Sequence, residues 1–380
     1  MHIAFLTPEY PHRKTSHSGG MGTSIKNLVT RLIQKEHEVS VIVYGQERDE
    51  VFNELGIHYH LVSQKNYKIG GFYFYRKHIE KYINKHLKDV DLLEAPDWTG
   101  ITAFMNLKTP LVIRFHGSDT YFCHIEKRAQ KKKNKFFEFN AISKAQAFIA
   151  PTNYAGVTSI KLFNQSMELL KVIPYGLDLS QFVNNDISIY EPFTILNVGT
   201  IIRKKGVFQL VQVFEKVLEQ FPQARLTFIG GDSNDVKTGA TSTWKLIQGQ
   251  TQAHVLEKIN YLGKVPYAHV QNSIKNAHVC VFPSLAETLG MVTIESMAMG
   301  KAVVNTNIGW AKDLIKDGED GYMHHPDDID SYVSIICKLL GDKNEVTRIG
   351  RNAIKSVTAK FNIDDLVDEN VKFYQSILES

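Results

Sequence analysis

Two glutamates stand eight positions apart in a mostly apolar stretch, residues 282–304. Glu287 lies in a predicted loop before Gly290, and Glu295 lies in a predicted helix that ends at Gly300. A buried carboxylate is costly unless it is paired or hydrogen-bonded. Two interpretations stay open: the carboxylates bind the hydroxyls of a ligand, or they form ion pairs with Arg or Lys inside the fold.

The backbone between the two glutamates adds an anion-binding feature. The amides of Leu289, Gly290, Met291 and Val292 form the N-terminus of the predicted helix, where unpaired N–H groups favour negative charge. A nucleoside-diphosphate sugar requires this combination, with amides for the diphosphate and carboxylates for a ribose diol and a sugar diol.

A basic turn follows another predicted strand, in the sequence VGTIIRKKGV at residues 198–207. It contains Arg203, Lys204 and Lys205 and opens a predicted helix. Three cations at the end of a strand can bind an anion. The alternative is an exposed basic loop without a ligand.

Two further candidates lie in the first half of the chain. Gly19, Gly20 and Gly22 open a predicted helix, and glycines there allow backbone amides to approach a phosphate. A tight loop without a ligand would show the same pattern. His116 ends a predicted strand, and its alternative role is that of a hydrogen-bonded core histidine.

Strands and helices alternate in both halves of the chain, which predicts parallel sheets with helices on both faces. The predicted strands are 2–6, 38–44, 91–95, 110–116, 147–151, 169–175, 193–199, 224–231, 259–263, 278–284 and 301–306. The main predicted helices are 22–37, 73–89, 206–221 and 363–380. The polar stretch 231–246 is predicted to be a mobile loop. Ligands bind such sheets at the carboxyl ends of the strands.

A chain of 380 residues is long for one core and favours two domains. The polar segment 183–192 is predicted to link a first domain, 1–182, to a second, 193–362. The C-terminal helix 363–380 is a separate element, for which packing against the first domain is one arrangement. We therefore expect two doubly wound, Rossmann-like domains facing across a cleft.

The composition is that of a soluble globular protein, 43% hydrophobic and 22% charged. Its three cysteines are odd in number and far apart, which indicates a reducing compartment and neither a disulfide framework nor a zinc knuckle. We recognise neither a signal peptide nor an apolar run long enough to span a bilayer, and we expect a cytoplasmic protein.

The positive charge is concentrated in the first half, where six cations lie between Lys127 and Lys135. Three interpretations stay open: a solvated surface, contact with anionic lipid, and nucleic-acid binding, which lacks any accompanying motif. Aromatic and aliphatic residues flank the cations within 121–139. Peripheral contact with the inner face of a membrane through 121–139 is therefore one hypothesis for this stretch.

Taken together, the ordered motifs resemble retaining glycosyltransferases of family 4, which have the GT-B fold. The spacing of Glu287 and Glu295 is similar to the E-x7-E signature of that family. The other matching segments follow in the family's order: SGGMGTSIKNLVTRLIQKEHEVSVI (18–42), RFHG (114–117), VIPYGLDLSQF (172–182), VGTIIRKKG (198–206), YLGKVP (261–266) and DGEDGYM (317–323).

The resemblance implies transfer of a sugar from a UDP- or GDP-sugar to a saccharide or lipid-linked acceptor, in the synthesis of a polysaccharide, glycolipid or other glycoconjugate. It implies no metal or other cofactor. No nucleic-acid partner is expected either, because no nucleic-acid motif accompanies the basic stretch. Glu295 is expected to bind the ribose and Glu287 the transferred sugar. The implied catalytic residues are His116, Glu287, Lys205 and Arg203. The implied donor-binding residues are Gly20, Arg203, Lys205, Lys264, Val265, Glu287, Thr288, Leu289, Gly290, Met291, Val292 and Glu295.

One position departs from the family pattern. Thr200 stands where the family usually has Arg, while Lys205 keeps the position of the family's Lys. We expect Arg203 to supply the missing charge from within the turn.

Two other functions stay open: a two-domain protein that binds a sugar or nucleotide-sugar without transferring it, and a nucleotide-sugar 2-epimerase.

Overall fold

The structure, a computed structural model, describes residues 1–16 and 18–379. It divides into two compact α/β units, one formed by Met1–Asp178 with the C-terminal segment from Phe361, the other by Leu179–Lys360. The predicted linker 183–192 lies inside the second unit. There Asn184 donates a hydrogen bond to the Met299 carbonyl (2.9 Å) and Ile187 lies against Gly300. The chain thus passes between units before this segment.

The first unit contains an eight-stranded sheet in the order β3-β4-β2-β1-β5-β6-β7-β8. All neighbours are parallel except β3 and β4. Neither strand was predicted from the sequence, because β3 is a short edge strand with alternating exposure and β4 carries histidines among its apolar residues. The strands are β1 (His2–Thr7), β2 (Glu38–Gln46), β3 (Glu50–Glu54), β4 (Ile57–Ser63), β5 (Leu92–Pro96), β6 (Leu111–Arg114), β7 (Ala147–Ala150) and β8 (Leu170–Val172).

Helices cover both faces of this sheet. They are α1 (Gly20–Gln34), α2 (Gly71–His86), α3 (Asp119–Ile125), α4 (Lys132–Ile142) and α5 (Asn153–Leu162). Alternate residues of β1 point to opposite faces. Ile3 and Phe5 pack in one core with α1, and Ala4 and Leu6 pack in another with α2, α4 and α5.

The segment 121–139, for which membrane contact was one hypothesis, consists largely of α3 and α4. In α3, Tyr121 and Cys123 are buried and Phe122 and Ile125 are half-buried, so none of the aromatic and aliphatic residues before the cations is fully exposed. Phe136 on α4 is 61% exposed. None of the helices in the described ranges has the length and apolar composition needed to cross a bilayer.

The second unit contains a six-stranded parallel sheet in the order β11-β10-β9-β12-β13-β14. Its largest core packs one face of the sheet against helices α6 and α12. The strands are β9 (Thr194–Val198), β10 (Arg225–Ile229), β11 (Ile259–Tyr261), β12 (Val279–Phe282), β13 (Ala302–Thr306) and β14 (Tyr322–His324). The helices are α6 (Val207–Gln220), α7 (Thr243–Gln250), α8 (Ala253–Leu256), α9 (Tyr267–Asn276), α10 (Met291–Ala298), α11 (Ala311–Leu314), α12 (Ile329–Gly341) and α13 (Lys343–Phe361).

The last helix, α14 (Ile363–Leu378), packs in the first unit through a buried polar network; Ser380 of the predicted helix lies outside the described residues. Arg114 donates two hydrogen bonds to the Glu94 carboxylate (2.7 and 2.9 Å) and one to Asn370 (2.6 Å). The Tyr374 hydroxyl donates to Glu94 (2.5 Å). Both partners of the buried ion pair are therefore also bound to α14.

Candidate active site

The candidate site of the second unit lies at the carboxyl edge of its sheet. Strands β9 to β12 run parallel, so the loops that follow them leave the sheet at the same edge. These loops carry most residues selected from the sequence: the basic turn after β9, Lys264 and Val265 after β11, and the loop with Glu287 after β12.

The basic turn is attached directly to the loop after β12. Arg203–Lys205 form one 3-10 turn, and Gly206 follows with a φ of +70°. The Lys204 carbonyl accepts a hydrogen bond from the Leu285 amide (2.7 Å). A side chain at position 206 would overlap the carbonyl oxygen of Pro283. Glycine is therefore required by both the backbone conformation and the close approach.

This attachment brings Lys205 and Glu287 together. The Lys205 ammonium forms an ion pair with Glu287 Oε1, and the two side chains are 23% and 16% exposed. Burial lowers the pKa of Lys205, and the charge of Lys204 acts in the same direction. The Glu287 carboxylate opposes both, because a nearby negative charge favours the ammonium. The ion pair that the sequence left open for Glu287 is thus present, with Lys205 as the partner.

Glu295 is satisfied in a different way. It lies on α10, is 5% exposed, and accepts a hydrogen bond from the Tyr267 hydroxyl at the start of α9 (2.8 Å). Burial raises the pKa of Glu295 to about 6, and the hydrogen bond from Tyr267 partly offsets this effect. Near neutral pH the group is therefore a buried carboxylate that can accept further hydrogen bonds from hydroxyls.

The backbone between the glutamates forms the helix N-terminus that the sequence predicted. Gly290 is the N-cap of α10 with a φ of +94°, and no described side chain caps the helix there. Thr288 and Leu289 are buried, whereas Met291 and Val292 are half-buried. The first amides of a helix lack intrahelical acceptors, so this end of α10 can donate hydrogen bonds to an anion.

Arg203 faces a different partner from Lys205. Its guanidinium donates two hydrogen bonds to the Asp235 carboxylate (both 2.8 Å) and lies over the Phe208 ring. Arg203 lowers the pKa of Asp235 to about 2. This arrangement does not support the expectation that Arg203 replaces the charge missing at Thr200.

The stretch 231–246 also differs from the predicted mobile loop. Asp235 is 1% exposed, and the amide of Thr238 and its hydroxyl both donate to its carboxylate (3.2 and 2.7 Å). The last residues of the stretch form the start of α7. The ion pair between Arg203 and the buried Asp235 explains how this polar sequence is held in place.

The loops after β10 and β11 complete this edge. Gly230, with a φ of +149°, lies against the Gly199 carbonyl, and the Lys264 side chain lies along Gly231. Lys264 is exposed and Val265 is half-buried. The structure thus places Lys264, which was predicted to bind the donor, beside the end of β10 at the same sheet edge as the basic turn, and Val265 follows it in the loop.

In the first unit, the glycine loop receives a carboxylate from its own chain. Glu9 accepts a hydrogen bond from the Gly22 amide (2.8 Å), and its carboxylate lies against Gly19. Gly20 is exposed, and a Cβ there would meet no described atom within 4 Å. Phosphate binding at Gly20 stays a prediction, since Glu9 already occupies part of the start of α1.

His116 is held by two residues of the first unit. The Asp97 carboxylate accepts hydrogen bonds from the amides of His116 (2.9 Å) and Gly117 (3.3 Å). The Tyr175 hydroxyl is hydrogen-bonded to His116 Nδ1 (2.7 Å). Burial lowers the pKa of His116 to about 3, with Arg114 acting in the same direction. The imidazole is therefore neutral at physiological pH.

Sequence reasoning missed Asp97, Tyr175 and Tyr267. Asp97 directly follows β5, and Tyr175 lies within the family-like segment 172–182. Both positions could therefore have been selected from the sequence. Tyr267 could not have been selected, because its contact with Glu295 joins two helices and is not visible in a local sequence pattern. In the described ranges, no group of three His, Cys, Asp or Glu side chains is arranged to hold a metal ion.

Comparison with known families identifies the chain. Residues 18–181 match the family described as Glycosyltransferase Family 4, and residues 184–356 match the family described as Glycosyl transferases group 1. The chain belongs to the family 4 glycosyltransferases. The resemblance inferred from the ordered motifs is confirmed.

The chain is also similar over its whole length to another glycosyltransferase and, in its fold, to two solved structures. A glycosyltransferase of Methanocaldococcus jannaschii is 26% identical over 399 residues, covering 100% of this chain and 99% of the relative. Sucrose-phosphate synthase of Thermosynechococcus elongatus has a TM-score of 0.81 at 18% identity, covering 100% and 99% of the two chains. Anabaena HepE in complex with UDP-glucose has a TM-score of 0.73 at 18% identity, covering 98% and 99%. The predicted GT-B fold class, with two parallel-sheet α/β domains, is confirmed.

We predict that Gly206→Ala is far more destabilising than Gly239→Ala. Both glycines have a positive φ, but a Cβ at Gly239 meets no described atom within 4 Å, whereas one at Gly206 overlaps the Pro283 carbonyl. A left-handed conformation costs an alanine about 1–2 kcal/mol, and forced overlap adds about 1–3 kcal/mol. Urea unfolding measures both variants. Equal losses would show that the two loops are not held together by this contact.

We predict that Glu295→Gln stabilises the folded protein in a pH-dependent way. The pKa of Glu295 is about 6 in the folded protein, against 4.5 for an ordinary glutamate. The folded state thus holds the proton more tightly, and the free energy of unfolding falls as pH rises from about 4.5 to about 6. The loss above pH 6 is on the order of 2 kcal/mol.

The glutamine keeps an acceptor for the Tyr267 hydroxyl and cannot ionise. The free energy of unfolding of the variant should therefore exceed that of the parent only slightly below pH 4.5 and by the full amount above pH 6. Urea unfolding over this pH range measures the difference. Glu369→Gln, at an exposed position of α14, controls for the loss of one charge. A stability difference between variant and parent that does not vary with pH would show that the pKa of Glu295 is not raised in the folded protein.

Proposed function

We propose that this glycosyltransferase moves a sugar from a nucleoside-diphosphate sugar to an acceptor hydroxyl with retention of configuration. The observation that carries the proposal is the Lys205–Glu287 ion pair beside the start of α10. It combines a cation for a leaving diphosphate with a carboxylate for sugar hydroxyls. The complex of HepE with UDP-glucose favours a UDP-sugar as the donor, with a GDP-sugar as the alternative.

Each part of the donor has a proposed binding group in the second unit. The buried Glu295 carboxylate accepts the ribose hydroxyls, oriented by the hydrogen bond from Tyr267. Glu287 accepts hydroxyls of the transferred sugar. The amides of residues 289–292 and the Lys205 ammonium bind the diphosphate. Lys264 and Val265 flank the base.

Departure of the diphosphate is the difficult step, because negative charge accumulates on the leaving oxygen while the sugar becomes oxocarbenium-like. Preorganised positive groups stabilise that charge most effectively. The diphosphate competes with Glu287 for the Lys205 ammonium, which leaves the Glu287 carboxylate to accept sugar hydroxyls. In this proposal Lys205 and the helix amides carry the charge stabilisation, and no metal cofactor takes part.

Retention follows in this proposal from attack on the same face that the diphosphate leaves. The bond from the sugar to the phosphate oxygen breaks, the bond to the acceptor oxygen forms, and the leaving phosphate takes the acceptor proton. Glu287 binds the sugar and is not a covalent nucleophile. Its ion pair with Lys205 fits this assignment, because the pair directs the carboxylate at the phosphate-binding groups.

The remaining predicted residues have supporting roles. His116 belongs to the first unit, to which we assign the acceptor, a saccharide or lipid-linked hydroxyl in glycoconjugate synthesis. Because the His116 imidazole is neutral, it can donate or accept hydrogen bonds with acceptor hydroxyls without adding a charge to the site. Arg203 orders the turn that carries Lys205 through its pair with Asp235.

We predict that Lys205→Ala lowers kcat by on the order of 100-fold, the loss typical of removing one donor to a developing negative charge. The KM for the donor should change much less, because the contact strengthens as the diphosphate leaves. Lys204→Ala is the matched control: it removes the same charge from the same turn and keeps the backbone carbonyl bound to Leu285. Release of UDP from UDP-sugars, with and without acceptor, measures both variants.

Three results would contradict the proposal. Equal losses in the two lysine variants would show that the turn acts only through its net charge. Loss of activity in EDTA would show that a metal ion takes part. A product of inverted anomeric configuration, determined by NMR, would exclude same-face transfer. Binding of the nucleotide-sugar without release of nucleotide under any condition would instead favour a binding protein.

A further inference from the structure

The first unit carries a continuous group of exposed aromatic side chains next to a row of lysines. The aromatic residues lie before and at the start of α2 and on α4, and the lysines precede and begin α4. We call this the aromatic–basic surface; it consists of Tyr67, Phe72, Tyr73, Phe74, Phe136 and Lys131–Lys133. All of these residues are exposed, which is unusual for so many large apolar groups in one place.

The aromatic rings form a chain of direct contacts. Ring centroids lie 5.6 Å apart between Tyr67 and Phe74, 5.4 Å between Phe74 and Tyr73, and 5.4 Å between Tyr73 and Phe104. Phe104 continues the chain to Phe136 at 5.9 Å. The four exposed rings of this chain are between 39% and 61% accessible. The patch is therefore one surface and not a set of isolated exposed residues.

The lysines are part of the same surface. The Lys133 ammonium lies 3.0 Å from the centroid of the Phe72 ring. Phe72 in turn stacks on Phe137 of α4 at 5.9 Å. This contact holds the positive charge against the exposed aromatic face, with the start of α2 and the start of α4 side by side.

The positions of the lysines are electrostatically unfavourable for the helix itself. Lys131 is the N-cap of α4, Lys132 and Lys133 are its first residues, and the first turn contains no acidic residue. A helix N-terminus carries partial positive charge, so cations there repel it, and an anion beside them would stabilise both. The sequence thus places three cations where a bound anionic group removes the repulsion.

We propose that the aromatic–basic surface docks this glycosyltransferase on an anionic lipid bilayer. Aromatic side chains enter the interface between headgroups and acyl chains, and lysines beside them pair with lipid phosphates. The rings and the lysines lie side by side, as lipid phosphates lie beside acyl chains at the surface of a bilayer. The proposal concerns the surface alone and does not depend on the glycosyl-transfer chemistry.

The test is co-sedimentation of the full chain with two kinds of vesicle, phosphatidylcholine alone and phosphatidylcholine mixed with phosphatidylglycerol. We expect binding to the mixed vesicles only, weakened by added salt. Replacing Lys131, Lys132 and Lys133 by Gln should weaken binding by on the order of 100-fold, at about 1 kcal/mol per lysine. Phe136→Ser should weaken it by on the order of tenfold, since one buried aromatic contact is lost.

Matched controls remove the same charge and the same kind of apolar group elsewhere. Lys237, Lys245 and Lys355 are exposed lysines of the second unit, and their triple replacement by Gln changes the net charge equally. Leu55→Ser removes an apolar side chain that is 86% exposed. Unchanged melting temperatures exclude misfolding of the variants. Binding lost equally in test and control variants, binding to both vesicles alike, or no binding to either, would each overturn the proposal.

Discussion

The close contact between two loops, at Gly206 and Pro283, is the constraint on which the candidate site depends. The contact leaves no room for a side chain at position 206. A hydrogen bond from the Leu285 amide to the Lys204 carbonyl joins the same two loops. Because the two loops follow neighbouring central strands, the contact fixes Lys205 and Glu287 relative to each other. The direction of α6 and the start of α10 are set by the same pair of loops.

The two glutamates of the apolar stretch are stabilised by different means. Glu287 is neutralised by Lys205, whereas Glu295 depends on one hydroxyl and has a raised pKa. Keeping Glu295 ionised therefore costs stability. Such a cost is typical of functional sites, where the residue that binds a ligand is not the one that would stabilise the fold best. The proposed binding of ribose hydroxyls by Glu295 would account for this cost.

The sequence predicted those elements whose pattern is local. The buried strands of both sheets have continuous apolar runs, and α6 and α14 are strongly amphipathic, so their positions were close to those observed. The edge strand β3 and the helices α3 to α5 were missed, because their apolar patterns are short. Contacts between positions far apart in the sequence could not be predicted either. Lys205 and Glu287 are 82 residues apart, and Arg203 and Asp235 are 32 residues apart. For Arg203 this changed the interpretation, since a cation in a basic turn proved to be paired with a buried aspartate.

The proposal that the carboxyl edge of the second sheet holds a nucleotide-sugar can be tested by the binding of nucleoside diphosphates. The measurement is thermal unfolding with UDP, GDP and ADP, and with the corresponding sugars, for the parent and Glu295→Ala. A ligand at a hundred times its Kd adds about 2.7 kcal/mol of stability. We predict that at least one uracil or guanine nucleotide stabilises the parent by this mechanism and that Glu295→Ala abolishes most of the shift. No shift with any nucleotide, or an equal shift in the variant, would show that this edge does not bind a nucleotide through Glu295.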